Sequence, residues 1–351
     1  MKRCLILGAG AAGLSVAGFL ADKRYEVTLY NRTEKRIVPY IENGGYDLVR
    51  PDNTKVRIDT IRYISSLEKE ENIFDYIIFC LNSNGQAEIS SEVYKYFGAN
   101  GVWILIPGHT FGALSVLRNG QKGGWNKLPT IIEMQALPFV CRVIEETTVQ
   151  IYQFKKNLMG SLFGENVLRK QIEDDLHDMF GNEFQLTKEK YWASMHNMTI
   201  AIQPILLLCN VGRIDKESFL FYRSSSNEYV ENLMEAVDSE RIKIAELFGL
   251  QEILSTKDWL RECYGATGET ITEMLKNVKG YEQIIAPDTF RHRFAVEHIE
   301  TGLVPIEAAA IALGVQVPCI TSLINIASCM LGMDLREQGR NIDSLGLLEI
   351  L

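Results

Sequence analysis

The 351-residue chain lacks a net positive charge, a paired-cysteine motif and any histidine spacing typical of a metal site. Its formal net charge of −9 argues against nucleic acid or an anionic membrane as a partner. Its seven cysteines are odd in number and never form a C-x-x-C pair, a usage typical of a reducing compartment. Because no H-E-x-x-H or comparable pattern occurs among its five histidines, we expect no metal site. These absences predict a cytoplasmic protein that acts on small molecules.

The sequence also lacks an uninterrupted apolar run that could cross a membrane. The uncharged stretch 308–333 is broken by Gly314 and Pro318, and Gln316 and Asn325 add polar groups to it. This pattern predicts two buried helices. Since one small helical domain has little need of so much apolar surface, we expect part of it to be buried at a domain junction or in a homodimer.

The N-terminal segment 2–23 carries the pattern on which the predicted fold depends. A short apolar run is followed by a G-x-G-x-x-G motif and then by an alanine- and leucine-rich stretch with helical spacing. Strand, glycine loop and helix in this order are typical of a dinucleotide site, in which free N–H groups at the helix start face the pyrophosphate. The alternative is a glycine turn that binds nothing. The predicted pyrophosphate-binding residues are Gly8, Gly10, Ala11, Ala12 and Gly13.

The residues after the second predicted strand, 25–30, indicate which cofactor binds. An NAD site normally places Asp or Glu there, to accept a hydrogen bond from the ribose 2′-OH. This chain has Asn31 and Arg32 instead, with Lys35 and Arg36 close behind. Because a guanidinium makes bidentate contacts with a 2′-phosphate, we predict NADP(H). The alternative is a solvated basic loop.

Further strand ends are expected to line the cofactor cleft, because ligands bind outside the carboxyl ends of a doubly wound sheet. Leu81 and Asn82 follow one predicted strand, and Pro107 and Gly108 follow the next. His109, directly after them, is expected to be structural or adjacent to the cofactor. The predicted elements of this region are strands at 76–81, 102–106, 130–134 and 148–154, an inserted hairpin at 46–59, and a helix that ends at 96.

Helical segments dominate from about residue 189, and no repeat or low-complexity linker separates the two halves. We therefore predict an α/β fold, with an N-terminal Rossmann-type doubly wound sheet (1–188) followed by an all-α C-terminal domain (189–351). The predicted helices of the second domain span 192–211, 216–222, 228–248, 255–263, 306–313 and 318–331.

Four stretches resemble the opine dehydrogenases, and the resemblance extends along nearly the whole chain. They are PGHTFGAL at 107–114, LPFVCR at 137–142, QPILLLCNVGRI at 203–214 and TGLVPIEAAAIALGV at 301–315. Ketopantoate reductases and glycerol-3-phosphate dehydrogenases resemble the two-domain plan more distantly. The resemblance implies that NAD(P)H reduces the imine formed between an amino acid's amine and a 2-oxo acid, in a cleft between the domains.

Two positions depart from the family pattern. The resemblance implies a general acid/base histidine where Gln203 stands, and its partner aspartate where His298 stands. A glutamine cannot transfer a proton near pH 7, whereas the ordinary pKa of histidine, about 6.5, suits that task. Three interpretations remain open: an inactive or repurposed site, a site in which His298 transfers the proton while Gln203 orients it or binds substrate, and an enzyme that receives a preformed iminium and needs no base.

Two more residues complete the predicted catalytic set of His298, Gln203, Arg293 and Asn197. The resemblance implies that Arg293 binds the carboxylate of the 2-oxo acid, a contact that suits a guanidinium, with a surface or interdomain ion pair as the alternative. Asn197 matches a family asparagine and could equally begin a helix. His196 is expected to be structural.

The resulting prediction is an NADPH-dependent oxidoreductase that acts on a C=N bond. One alternative is a ketone reductase of the ketopantoate kind, which relies on a lysine in the helical domain, and no lysine lies near Gln203 or His298 in the sequence. The other alternative is a catalytically disabled NADP-binding protein.

Overall fold

The computed structural model describes residues 1–68, 70, 73–164, 169–181 and 183–349. The chain divides into two compact units, an α/β unit made of Met1–Gly108 and Asn119–Lys190, and a helical unit made of His109–Arg118 and Tyr191–Leu351. The α/β fold class, with a Rossmann-type sheet followed by helices, is confirmed. The predicted domain boundary ignored the short segment 109–118, which interrupts the α/β unit in sequence and belongs to the helical unit.

Hydrogen bonds explain why this short segment joins the helical unit. The Thr110 N–H donates to the carbonyl of Thr301, at 3.1 Å. Arg340 Nη1 donates to the carbonyl of Thr110, at 2.8 Å. Arg118 donates to the carbonyl of Gly346, at 3.0 Å. These partners lie far along the chain, so the local sequence of the segment carries no sign of them.

The described residues of the α/β unit form twelve strands in two sheets. In chain order they are β1 Arg3–Leu7, β2 Glu26–Tyr30, β3 Tyr46–Val49, β4 Lys55–Ile58, β5 Arg62–Ile64, β6 Tyr76–Phe79, β7 Val102–Leu105, β8 Thr130–Met134, β9 Phe139–Glu145, β10 Thr148–Phe154, β11 Leu158–Phe163 and β12 Phe184–Thr187.

The larger sheet has the strand order β12-β11-β8-β7-β6-β1-β2-β5. Its pairs are parallel except β8 with β11, which is antiparallel. Strands β1 and β6 are buried along almost their whole length, as their continuous apolar runs predicted. All the strands predicted from buried runs lie in this sheet except 148–154, which is β10 of the second sheet.

The second sheet has the order β4-β3-β10-β9. The predicted inserted hairpin is confirmed as the antiparallel pair of β3 and β4. Helix α1 (Ala11–Asp22) packs on this sheet: the ring of Phe19 lies 5.1 Å from that of Phe139 and 5.6 Å from that of Phe154, and Tyr46 Oη donates to the carbonyl of Leu14. The second sheet therefore supports the helix that follows the glycine loop.

The remaining α-helices, in chain order, are α2 Val38–Glu42, α3 Gln86–Phe97, α4 Gly112–Lys122, α5 Arg169–Phe180, α6 Trp192–Met195, α7 Gln203–Cys209, α8 Val211–Ile214, α9 Phe221–Ser224, α10 Glu228–Leu247, α11 Thr256–Tyr264, α12 Ile271–Asn277, α13 Val296–His298, α14 Val304–Ala312, α15 Pro318–Leu331, α16 Leu335–Gln338 and α17 Ile342–Leu345.

The long helices of the second unit match their predictions, and local signals explain their ends. Asn227 caps α10 by accepting from the backbone N–H groups of the first turn. Pro318 occupies the first turn of α15, where its missing N–H costs nothing, and Gly332 ends that helix in the left-handed conformation at φ +64°.

Two helix predictions in this unit were wrong. The predicted helix 192–211 is broken into α6, a 3₁₀ turn (Met198–Ala201) and α7, because Pro204 has no N–H to continue the ladder and is accommodated in the first turn of α7. The predicted helix 216–222 is helical only from Phe221. The Phe221 N–H donates instead to the carbonyl of Ile284, at 2.7 Å, as part of an isolated antiparallel bridge.

The uncharged C-terminal stretch forms α14 and α15, as predicted. Among the described residues, no single helix has the length and apolar composition needed to cross a membrane. Helix α15 and the segment Leu335–Glu349 meet that test only together, and they are bent by 104°. All seven cysteines are free thiols.

Candidate active site

The glycine loop lies between β1 and α1, and its three glycines have different tasks. Gly8 has φ +110°, and a Cβ there would lie 2.6 Å from the carbonyl oxygen of Cys80. A Cβ on Gly13 would lie 1.7 Å from the carbonyl oxygen of Gly8, so the helix packs on the strand only through a glycine. A Cβ on Gly10 would meet nothing within 4 Å. The space beside Gly10 suits a ligand that approaches the backbone closely.

The start of α1 offers the loop its remaining binding groups. Gly10 precedes the helix, and no side chain caps the first turn. Ala11 and Ala12 begin the helix and are partly exposed. The first N–H groups of a helix have no partner within it, and they lie at the positive end of its dipole. The loop therefore fits the pyrophosphate of a dinucleotide.

The end of β2 brings the predicted ribose-binding residues beside this loop. Asn31 Oδ1 accepts from the Ala9 N–H at 3.1 Å, and its Nδ2 donates to the carbonyl of Thr33 at 2.9 Å, so this side chain positions the loop. The Arg32 side chain is 75% exposed, and its Nη1 lies 3.5 Å from Glu88 Oε1. Lys35 and Arg36 are exposed in the 3₁₀ turn that follows.

The ends of β6 and β7 lie at the same edge of the sheet as the glycine loop. Leu81 is partly buried and Asn82 is exposed. Gln86 Nε2 donates to the carbonyl of Pro107, at 2.9 Å, and the Gly108 N–H donates to the carbonyl of Met134, at 3.1 Å. The structure thus brings the predicted cofactor-binding residues to the carboxyl ends of neighbouring strands, to the loops that leave them or, for Ala11, Ala12 and Gly13, to the first turn of α1.

In the helical unit, His298 and Asn197 are joined by a residue that the sequence reasoning missed. The Thr199 hydroxyl donates to Asn197 Oδ1 at 2.6 Å, and its oxygen lies 3.1 Å from His298 Nδ1. Asn197 Nδ2 donates to Thr110 Oγ1, at 3.4 Å. Nothing in the sequence pairs Thr199 with a histidine 99 positions later. We call Asn197, Thr199, His298 and His109 the histidine cluster.

His109 belongs to this cluster, although the sequence placed it at the cofactor rim. Its ring stacks on that of His298, with centroids 5.0 Å apart and planes 13° apart. Its Nδ1 lies 2.9 Å from Thr301 Oγ1. His109 has φ +59°, a left-handed conformation that is uncommon outside glycine and that often marks functional positions.

The turn after His298 explains how the GLVP stretch shapes this cluster. Ile299–Leu303 form a π-helical turn, a rare element that occurs mostly at functional sites. Pro305 has no N–H to donate to the carbonyl of Thr301, which accepts instead from Thr110. The proline therefore frees the carbonyl that holds the segment of His109 in place.

Burial sets the protonation of both histidines. Loss of hydration, followed by the nearby charges of Arg293 and His292, lowers the pKa of His298 to about 3. Burial first, and then His298, Arg340 and Arg293, lower the pKa of His109 well below its usual value. Both rings are therefore neutral near pH 7. The lowered pKa makes His298 a weaker base than the histidine of ordinary pKa on which the sequence argument drew.

Gln203 and Arg293 lie outside the hydrogen bonds of the cluster. Gln203 Nε2 donates to Tyr222 Oη at 2.7 Å, and its buried Oε1 has no hydrogen-bond partner among the described residues. Within that part of the chain, no hydrogen bond joins Gln203 to His298. Arg293 is exposed, and no described carboxylate lies within 4.0 Å of it, so its guanidinium is not used in an ion pair there.

Two protein families match this chain. Residues 187–331 match the family described as NAD/NADP octopine/nopaline dehydrogenase, alpha-helical domain, and residues 4–119 match ketopantoate reductase PanE/ApbA. The helical half of the chain thus matches the opine dehydrogenase family model, and the resemblance inferred from the sequence motifs is confirmed. This similarity supports NAD(P)-dependent oxidoreduction.

Full-length relatives have low identity. An opine dehydrogenase of Arthrobacter sp. (strain 1C) is 26% identical over 363 residues, covering 99% of this chain and 95% of the relative. Vitopine synthase of Allorhizobium ampelinum (strain ATCC BAA-846 / DSM 112012 / S4) is 25% identical, covering 99% of this chain and 96% of the relative.

Solved structures share the fold. Octopine dehydrogenase with NADH and L-arginine has a TM-score of 0.80 at 17% identity, covering 99% of this chain and 96% of that one. Octopine dehydrogenase structures with agmatine and with pyruvate also match. Yersinopine dehydrogenase with NADP⁺ has a TM-score of 0.75 at 14% identity, covering 100% of this chain and 98% of that one.

Proposed function

We propose that the protein is an NADPH-dependent oxidoreductase of the opine dehydrogenase type. Its substrate is a C=N bond, formed between an amine or amino acid and a 2-oxo acid, or present in a preformed imine. The observation that carries the proposal is the neutral, buried imidazole of His298, hydrogen bonded through Thr199 to Asn197, in a chain that also has a complete glycine loop. A disabled site has no need of an oriented base.

The preference for NADPH rests on charge. No carboxylate stands directly at the end of β2, where Asn31 and the exposed guanidinium of Arg32 come first and Glu34 only later. Glu88 partly neutralises this guanidinium, and its carboxylate would compete with a 2′-phosphate for Arg32. When bound, NADPH supplies a hydride. The loop residues hold its pyrophosphate through backbone N–H groups, and Arg32 binds the 2′-phosphate.

The proton steps follow from the neutral state of His298. Its free nitrogen, Nε2, takes a proton from the ammonium group of the amine substrate only transiently, because the lowered pKa of the ring opposes this step; the deprotonated amine then attacks the 2-oxo acid's carbonyl carbon. The lowered pKa favours transfer of the same proton from the ring to the hydroxyl of the resulting carbinolamine, whose C–O bond breaks to release water. With a preformed iminium both steps are unnecessary.

Arg293 and Gln203 recognise substrate in this proposal. The unpaired guanidinium of Arg293 binds the carboxylate of the 2-oxo acid. The partnerless Oε1 of Gln203 accepts a hydrogen bond from the substrate's nitrogen, while Tyr222 holds the amide by its other end. Gln203→Ala is expected to raise the activation free energy by ~1–3 kcal/mol, the cost of one hydrogen bond with a buried partner left unpaired.

The decisive experiment follows NADPH absorbance with a panel of substrates. The panel contains amino acids and agmatine, each with and without pyruvate or another 2-oxo acid, together with simple ketones and cyclic imines. Oxidation that requires both an amine and a 2-oxo acid supports condensation, and oxidation with an imine alone supports imine reduction. Turnover of a ketone without amine indicates a reductase of the ketopantoate kind. If no member of the panel is reduced, the protein is an NADP-binding protein without this activity.

A homodimer is also part of the proposal. The two apolar C-terminal helices leave large side chains exposed, with Ile311 60%, Ile326 44% and Met330 51% accessible. A second copy of the chain that covers this face would bury these side chains. The proposal also includes a cytoplasmic location, which the free cysteines support. Light scattering across a range of concentrations tests the assembly, and a monomer at the highest concentration contradicts it.

A further inference from the structure

The tautomer of His109 is set by Thr301. The Thr301 hydroxyl donates to the carbonyl oxygen of Glu297, at 2.7 Å, and a carbonyl can only accept. Because a hydroxyl has one proton, the 2.9 Å contact between Thr301 Oγ1 and His109 Nδ1 is a hydrogen bond in which the imidazole donates. His109 therefore carries its proton on Nδ1, and its Nε2 has a free lone pair.

Thr199 acts on His298 in the same way. Its hydroxyl donates to Asn197 Oδ1, at 2.6 Å, so its oxygen accepts from His298 Nδ1 at 3.1 Å. The amide orientation of Asn197 is supported by its other end, because Nδ2 lies 3.4 Å from Thr110 Oγ1. His298 is thus also the Nδ1–H tautomer. Within the described chain, neither imidazole Nε2 has a hydrogen-bond partner.

The stacked imidazole rings of His109 and His298 influence each other's protonation. Their planes are 13° apart and their centroids 5.0 Å apart, and both residues are buried. A second imidazolium at this distance would be repelled by the first, so the pair holds one proton at a time. The surrounding cations act in the same direction: Arg293 and His292 near His298, and Arg340 near His109. Two buried carboxylates, Glu297 and Glu300, flank His298 on its own segment.

We propose that Thr199, Thr301 and His109 are positioning residues, which hold His298 with an unprotonated Nε2 that accepts the substrate's proton. The inference rests on the proposed function, because the proton is the one that an ammonium group loses before its nitrogen attacks the carbonyl carbon. Thr199 replaces the carboxylate that would otherwise orient the base. His109 limits the pair to one proton and fixes the plane of the His298 ring.

The test is the ¹⁵N NMR spectrum of the full-length protein with labelled histidine, at pH 7.5. Imidazole ¹⁵N shifts distinguish Nδ1–H from Nε2–H tautomers, and His298→Gln and His109→Asn assign the signals. Asn suits position 109 because it tolerates the left-handed backbone. We expect the Nδ1–H tautomer for both histidines. An Nε2–H tautomer of His298 in the unmodified protein overturns the proposal, and this measurement does not require turnover.

Variants of Thr199 provide a second test, by NMR and by steady-state kinetics. Thr199→Val keeps the shape and removes the hydroxyl, so His298 should become a mixture of tautomers, and kcat should fall roughly 10- to 100-fold, less than the loss of the base itself. The KM for the 2-oxo acid and the affinity for NADPH should change little. Thr199→Ser should restore both the NMR signature and kcat. A Val variant with an unchanged tautomer contradicts the proposal.

The two proposals can fail separately. If the tautomers are as expected but no substrate in the panel oxidises NADPH, the proposed function is wrong and the positioning stands. If turnover is observed and His298 carries its proton on Nε2, the positioning is wrong and the function stands.

Discussion

The glycine loop of the α/β unit and the histidine cluster of the helical unit are built from different parts of the chain. The loop uses backbone groups of consecutive residues, and its glycines are needed because they have no Cβ. The cluster uses side chains from three separate segments, around His109, Asn197 and His298, and each is held by hydrogen bonds to the others or to neighbouring threonines. A site made of backbone tolerates loss of side chains, whereas a site made of side chains depends on each one.

The largest effect is expected from His298→Ala, which removes the proposed base. The value of kcat should fall roughly 10²–10⁴-fold, the usual range for a general acid/base, while NADPH affinity should stay nearly constant because the loop is unchanged. Steady-state kinetics and cofactor titration measure the two quantities. His177→Ala, on α5 of the other unit, is the control and should leave both unchanged.

Full activity of the His298→Ala variant would mean that a preformed iminium is the substrate. Gln203→His is the converse variant: it should not restore an ordinary opine synthase, because the partner at position 298 is a histidine and not a carboxylate.

The next effect is the loss of folding stability at acidic pH, to which two buried histidines of the helical unit contribute. Burial lowers the pKa of both His298 and His196 to about 3, and unfolding returns each to about 6.5. The unfolded state therefore binds protons that the folded state does not, so the stability present above pH 6.5 is lost as the pH falls from 6.5 towards 3. Each such histidine contributes about 1.4 kcal/mol per pH unit to the free energy of unfolding.

Urea unfolding at several pH values between 7.5 and 5 measures this slope. His298→Ala should flatten it by about 1.4 kcal/mol per pH unit below pH 6.5. An unaltered slope in the His298 variant would show that this ring is protonated in the folded protein.

Two glycine variants distinguish the structural role of the loop from its role in binding NADPH. Gly13→Ala places a Cβ against the Gly8 carbonyl, so it should destabilise the fold by ~1–3 kcal/mol as well as weaken NADPH binding. Gly10→Ala meets no protein atom and has an extended backbone that alanine adopts, so its Tm should be unchanged while NADPH binds at least about tenfold more weakly. Thermal unfolding and cofactor titration distinguish the two. Normal NADPH affinity in Gly10→Ala would exclude the pyrophosphate from this loop.

The smallest effect concerns the exposed side chains that follow β2. Arg32→Ala should weaken NADPH binding by up to about tenfold and leave NADH binding nearly constant, since solvent screens an exposed guanidinium. Glu88→Gln removes the competing carboxylate and should tighten NADPH slightly. Equal affinity of the unmodified protein for both cofactors contradicts the assignment of NADP(H).

His196 shows why a buried histidine alone did not identify the site. Its Nδ1 donates to the carbonyl of Trp192 at 2.7 Å, and its Nε2 accepts from the Leu254 N–H at 3.0 Å. Both nitrogens are satisfied by backbone, as expected of a structural residue. Among the described residues, His298 makes a hydrogen bond through Nδ1 alone. The resemblance predicted different roles for these two histidines, and the physical difference between them lies in hydrogen bonds that no sequence pattern displays.

By itself, the sequence determined the features that depend on neighbours along the chain. Buried strands follow from apolar runs, helix ends from Asn227, Pro318 and Gly332, and the loop from the spacing of Gly8, Gly10 and Gly13, because backbone conformation is set by adjacent residues. Only the tertiary structure decided that 109–118 belongs to the helical unit, that 216–220 is not helical, and that Thr199 holds His298. These outcomes depend on contact partners tens to hundreds of residues away along the chain. They also depend on burial, which sets the protonation of an imidazole and is not specified by any short stretch of sequence.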